Sequence, residues 1–200
     1  MLYAIAHFLR DKMPWLWNLV DVVNSTLFEL RYGGNLKRIE TEILGRYRSE
    51  YSIRLVPMRE VVPEVIEKFF ESQPEEAYKF FKPHGFDAKS IKKLQNLNSF
   101  QSYLLLDDTK IAGYCFLRCF FHGKAFRGRM VGIDYRGRGL GTTMNKFMNE
   151  VGFSLGLRIY ETVSKDNVAS YRSSLAASDV KVVEEMPNNE VFLEILPPKK

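Results

Sequence analysis

Cysteine is nearly absent from this chain of 200 residues: Cys115 and Cys119 are the only two, four apart in a segment that reads as strand. At ~3.3 Å per residue their Cα atoms stand roughly 13 Å apart, too far for a disulfide. Histidine is as scarce, and His7, His84 and His122 are too scattered for a zinc site. Both absences point to a reducing, cytoplasmic setting and to chemistry without a metal. Long apolar runs are missing too. Met1 to Leu9 is apolar, but its charge, Arg10-Asp11-Lys12, follows rather than precedes it, so it makes a poor signal peptide. Trp15 to Val23 contains Asp21 and falls short of the ~20 residues that span a bilayer. No repeat and no low-complexity tract interrupts the chain.

What is present is globular. The composition is 46% apolar and 26% charged, which excludes a disordered or collagen-like chain. A chain this long buries roughly 70% of the surface exposed on unfolding, so its core needs no staples. Twenty-nine basic against 24 acidic residues leave a net charge of +5, too mild to demand a polyanionic partner. No nucleic-acid motif or strong charge stripe accompanies it, so nucleic acid is not expected as a partner. Fifteen Phe and ten Tyr suggest a dense core and an aromatic-lined cleft.

Residues 1–48 read as an amphipathic helical extension and residues 49–200 as the main domain. Pro14 suits the first turn of a helix, and Leu16, Leu19, Val20, Val23, Leu27 and Leu30 follow at helical spacing. Gly33-Gly34 is expected to stop it, with Asn35 capping a second helix that carries Leu36, Ile39, Ile43 and Tyr47. Such helices would dock on the domain, pair two copies as a homodimer, or make peripheral membrane contact. Further on, strands are expected over 51–56, 101–106, 110–120, 125–134, 157–163, 181–185 and 190–196. Helices are expected from Pro63 to Phe70, from near Pro74, from Asp87 to Asn96, from the glycine loop to Leu155, and from Asn167 to Ala177. Short Asp- and Gly-bearing connections make the middle strands antiparallel hairpins. The fold class is mixed α/β (α+β).

The most informative stretch is Val131-Gly132-Ile133-Asp134-Tyr135-Arg136-Gly137-Arg138-Gly139-Leu140-Gly141-Thr142. Alternating glycines after a strand let the backbone turn tightly and expose its N–H groups. The helix that begins there adds unpaired N–H groups and a positive dipole end, which together suit phosphate or pyrophosphate. A P-loop would need a lysine before Thr142, where Gly141 stands. The dinucleotide fingerprint would need a sixth-position glycine where Thr142 or Met144 stands, although Glu161 lies where its acid is wanted. A glycine-rich turn without a ligand is the plain alternative.

Arg136-x-x-Gly139-x-Gly141 after an antiparallel meander resembles the acyl-CoA pyrophosphate loop of the GNAT acetyltransferase superfamily, and the resemblance covers about residues 51–197. It implies a mostly antiparallel central sheet flanked by helices, with acetyl-CoA or another acyl-CoA as co-substrate. The pyrophosphate would lie on N–H groups from Arg138 to Thr142, with Arg136, Gly137, Gly139, Leu140 and Gly141 around it. Backbone near Val131 and Ile133 would pair with the pantetheine arm, and Asn167 would contact that arm or the acceptor. Asn167 also reads as an N-cap. The implied reaction is direct acyl transfer to a small-molecule amine. An amino-sugar of envelope polysaccharide synthesis is one such acceptor, and a catalytically impaired binding or assembly module is the alternative.

For the base, Glu161, His84 and Asp134 are the candidates, Glu161 having the better address; His84 and Phe86 are expected against the acceptor. Relatives carry an acid tyrosine seven residues after the asparagine, but that position here is Ser174, and Ser178-Asp179 stands where Gly-Phe is common. Tyr171, one turn earlier on roughly the same helical face, is the candidate for a substitute acid, with a core or surface tyrosine as the plain alternative.

Overall fold

A computed structural model describes residues 14–50 and 53–199. The chain opens with one helix of 37 residues, α1 (Pro14–Glu50). A short strand β1 (Arg54–Pro57) and the helices α2 (Pro63–Glu71) and α3 (Ala88–Gln95) follow. Three long strands come next, β2 (Phe100–Asp107), β3 (Lys110–Phe120) and β4 (Lys124–Val131). Then come α4 (Leu140–Ser154), β5 (Arg158–Ser164), α5 (Val168–Ala177), β6 (Val180–Met186) and β7 (Glu190–Ile195). The seven strands form one sheet in the order β1-β2-β3-β4-β5-β7-β6. Every neighbouring pair is antiparallel except β4 and β5.

Helices cover both faces of the sheet. On one, Tyr103, Leu105, Cys115, Leu117 and Ile159 pack with Phe147, Met148 and Val151 of α4 and with α1. On the other, Leu104, Tyr114, Phe116 and Met130 pack with Ile66, Phe69 and Phe70 of α2 and Ile91 of α3. Adjacent residues of β2 and β3 serve opposite cores, so these strands read as continuous apolar runs rather than alternating ones. Cys115 and Cys119 are free and buried.

The local signals act where the sequence places them. Pro63 stands at the first turn of α2, and Asp87 caps α3 by accepting from the Ser90 N–H at 2.9 Å. Near Pro74 only a 3-10 turn forms, Glu75–Tyr78. Strand β4 ends at Val131, three residues before the expected Asp134, because Ile133–Tyr135 is a 3-10 turn.

The expected break at Gly33-Gly34 does not occur; α1 runs through both glycines. Each glycine costs a helix about 1 kcal/mol relative to alanine. Against that, Phe28, Tyr32, Leu36, Ile39, Ile43, Leu44 and Tyr47 are all buried in the core. Leu44 apart, they recur every three or four residues on both sides of the glycines, and each contributes about 1.5–3 kcal/mol on burial. A straight helix places both halves on the same sheet face, so packing overrides propensity. The earlier stripe faces the opposite way: Leu19, Val20, Val23, Leu27 and Leu30 are exposed, Leu30 at 79%. Expectations for residues 1–13, and for the side chain of Leu16, lie outside the described residues.

Candidate functional site

Strands β4 and β5 pair in parallel over only three positions, Lys124↔Arg158, Ala125↔Ile159 and Phe126↔Tyr160. Beyond Phe126 and Tyr160 they part, and a cleft of about 760 Å³ opens between them. Its far wall is the glycine loop and the first turn of α4; its side walls come from β4, β5 and α5; Glu76, Phe80 and Phe81 close the near end.

The loop geometry requires its glycines. Gly137 and Gly139 adopt φ of +76° and +77°, where a side chain is strained, and a Cβ on either would meet open space. Gly139 is the N-cap of α4 and offers no side chain to its N–H groups. The Thr142 and Thr143 N–H groups turn back to the Gly139 carbonyl at 3.0 and 3.1 Å. The expected run of anion-facing N–H groups from Arg138 to Thr142 therefore stops at Gly141. Arg136, Gly137, Gly139, Leu140, Gly141, Thr142, Val131 and Asn167 all line the cleft.

Two members of the expected set make other contacts. Arg138 lies over the Tyr135 ring and donates to the Asp134 carbonyl at 3.2 Å. The Ile133 N–H, expected to pair with a ligand, donates to the Gln73 side chain at 2.9 Å. Asn167 lines the cleft and also caps α5, accepting from the Ser170 N–H at 3.3 Å.

Glu161 lies on the floor of the cleft, yet one oxygen of its carboxylate, Oε2, is committed to arginine. It accepts from Arg127 Nε at 2.7 Å, and Arg129 Nη1 stands 3.7 Å from the same oxygen. Burial pushes its pKa up, but the two guanidiniums outweigh that and hold it below the usual carboxylate range. A carboxylate so held is a poor base. Arg127 also donates to Asn149, and its side chain is fully buried. These two arginines are what the sequence reading missed. Their signal was a charge at alternate positions, 127 and 129, of one strand, which places both arginines on the same sheet face.

The positions around the vacant tyrosine are filled differently. Ser174 is wholly buried on α5, and its hydroxyl donates to the Ser170 carbonyl at 3.1 Å. Arg129 Nη2 faces that same serine row: Ser170 O at 2.7 Å, Ser170 Oγ at 3.2 Å, Ser174 Oγ at 3.3 Å, and Ser173 Oγ. Tyr171 is packed against the larger hydrophobic core and is not among the residues lining the cleft.

His84 and Phe86 likewise lie behind the wall rather than on it. His84 Nε2 is 2.8 Å from the Tyr114 hydroxyl and Nδ1 is 2.7 Å from the Gly85 carbonyl. The carbonyl must accept, so Nδ1 carries the proton and Nε2 accepts from the tyrosine. Burial drives the His84 pKa down to about 4, so the ring is neutral. Phe86 stacks among Phe70, Tyr78 and Phe81. The aromatic turn does reach the cleft, but through Phe80 and Phe81. Asp134 is exposed at the 3-10 turn after β4 and is not part of the lining. Among the described residues no cluster of His, Cys, Asp or Glu would hold a metal ion.

Solved structures share this architecture at low identity. The GNAT domain of S. lividans PAT superposes with a TM-score of 0.62 at 14% identity, covering 72% of this chain and 89% of that one. YncA of Salmonella typhimurium, a putative acetyltransferase solved with acetyl-CoA, gives 0.55 at 12% identity, covering 73% and 94%. The aminoglycoside acetyltransferase AAC(6')-Ib with paromomycin and acetyl-CoA gives 0.51 at 13% identity, covering 72% and 93%. No curated protein matches the chain in sequence. Residues 64–173, which run from α2 through the glycine loop to α5, match the Acetyltransferase (GNAT) family, and the chain belongs to that family.

Proposed function

We propose that this protein is an acyl-CoA-dependent N-acyltransferase, moving an acetyl or short acyl group directly from the thioester to an amine. One observation carries the reading: a helix start without a side-chain cap, fronted by two left-handed glycines, opens onto the gap where β4 and β5 part. N–H groups at Gly139 to Gly141, the helix dipole and Arg136 suit a pyrophosphate there. Below it, the facing edges of β4 and β5 offer backbone groups to an extended amide-bearing arm. When bound, acyl-CoA supplies an already activated carbonyl, so the protein has chiefly to orient the two reactants.

The acceptor end is the one bounded by Phe80, Phe81 and Glu76. An incoming ammonium must lose a proton before it attacks. Three glutamates line the cleft, Glu76, Glu161 and Glu190, and Glu161 is held by arginines. Glu76, beside the two aromatic rings, is the proposed base, acting directly or through water. Aromatic faces beside a carboxylate suit an amino-sugar, and an envelope amino-sugar is the acceptor to try first. AAC(6')-Ib, solved with paromomycin, supports the choice. Release of free CoA from acetyl-CoA, followed across amino-sugars, aminoglycosides and polyamines, tests the proposal. Turnover with one class supports it. CoA binding without turnover on any amine would favour the binding-module alternative.

The exposed half of α1 is proposed to pair two copies of the chain. Leu19, Val20, Val23, Leu27 and Leu30 form one stripe turned away from the domain. No Lys or Arg occurs from Pro14 to Leu30, so the polar side of that stripe carries none of the basic residues that draw a helix to anionic lipid. No helix among the described residues is long and apolar enough to cross a membrane.

A further inference from the structure

The floor of the cleft holds more positive charge than it neutralises. Arg127 and Glu161 form a close pair at 2.7 Å, and Arg129 shares the same carboxylate oxygen only at 3.7 Å. Two guanidiniums against one carboxylate leave one net positive charge. The remaining partners of Arg129 are neutral: the Ser170 carbonyl and the hydroxyls of Ser170, Ser173 and Ser174. Cys115 on β3 stands opposite Arg129 in register, but burial pushes its thiol up and keeps it uncharged. The first turn of α4 reaches Arg129 through Gly141, which has no side chain. The guanidinium is nine-tenths buried, with 7% of the side chain exposed, yet it lines the cleft. A buried cation without its own anion is costly unless an anion arrives during function.

We propose that Arg129 is a catalytic residue that receives the charge of the departing sulfur, in place of a proton donor at position 174. The proposal rests on the acyl-CoA reading of the cleft. In the transfer the amine nitrogen forms a bond to the thioester carbonyl carbon, and the carbon–sulfur bond breaks. The electron pair of that bond leaves on sulfur as a thiolate, while the proton of the amine passes to Glu76 or to water. Nothing in this balance requires the sulfur to be protonated before it leaves, provided its charge is met. Arg129 serves that end better than Ser174, whose hydroxyl already donates to the Ser170 carbonyl. Arg129 Nη2 stands 3.3 Å from the Ser174 hydroxyl, at the position where the resemblance to the family calls for the acid that meets the sulfur.

The test uses free CoA bound to the full chain and follows ionisation of its thiol by ultraviolet absorbance as pH is raised. The expected result is a bound thiol whose pKa lies at least one unit, a tenfold change in ionisation constant, below that of CoA in solution. In Arg129→Gln the shift should vanish, whereas Arg129→Lys should keep part of it; kcat of Arg129→Gln should fall by ~10²-fold with KM for acetyl-CoA little changed. An unshifted thiol in the parent complex overturns the proposal even if no variant folds, and so does an equal shift in Arg129→Gln. Failure of the parent to bind CoA at all is a different result: it removes the acyl-CoA reading itself, and this proposal with it.

Discussion

Glu161 is the residue on which sequence and structure diverge most. At the end of a strand flanking the cleft, an acid invites a catalytic role. In place, it is 3% exposed and answers two arginines. Removing its charge leaves Arg127 and Arg129 buried without a counter-ion, so Glu161→Gln should destabilise the fold by about 3–5 kcal/mol. A denaturant midpoint measures this. An unchanged midpoint with a collapsed kcat would instead return Glu161 to the role of base. Its folded pKa is lowered, so its stabilisation is full above the unfolded value and fades as pH falls through the folded one. His84 follows the same sign in a higher window. Its pKa drops from 6.5 to about 4, so the unfolded chain binds the proton first. Stability should decline from about pH 6.5 down to about pH 4, by up to about 3 kcal/mol. Melting temperature against pH checks it, and His84→Gln should flatten that slope.

At the scale of elements, α1 shows how burial outweighs a local signal. Gly34 is exposed in mid-helix, and a Cβ there would meet nothing within 4 Å. Gly34→Ala should therefore stabilise the protein by about 1 kcal/mol and raise Tm by roughly 2–4 °C. A lower Tm would mean that α1 is interrupted there after all. Most other elements were legible because their signals are local: Pro63 and Asp87 start helices, and Asp107-Asp108-Thr109 and His122-Gly123-Lys124 close hairpins. The glycine loop was legible for the same reason, since φ near +77° demands glycine wherever the fold puts it. The floor of the cleft was not. Arg127, Arg129 and Glu161 lie on two strands 34 residues apart in sequence, and their meeting depends on the single parallel pairing of the sheet. The aromatic turn expected against the acceptor reaches the cleft through Phe80 and Phe81, whereas His84 and Phe86 lie behind them.

For the whole molecule, α1 is at once part of the core and an open surface. Its second half supplies Leu36, Ile39 and Ile43 to the main core, so deleting the helix should cause unfolding or aggregation. The first half is separable by a surface change. Leu30→Glu alters a side chain that is 79% exposed, so it should leave Tm nearly unchanged while shifting a dimer to monomer in sedimentation. A parent that sediments as a monomer would contradict the proposed pairing, and flotation of that monomer with liposomes would move the stripe to a lipid role. The central claim concerns the cleft, and calorimetric titration of CoA into the parent and into Gly139→Asp tests it most directly. Aspartate at φ of +77° is strained, and its carboxylate would occupy the anion position at the start of α4. Saturable binding by the parent, weakened at least ~100-fold in the variant, is the result expected if that helix start holds a pyrophosphate. Equal affinity in the two proteins would place the ligand elsewhere and contradict the account.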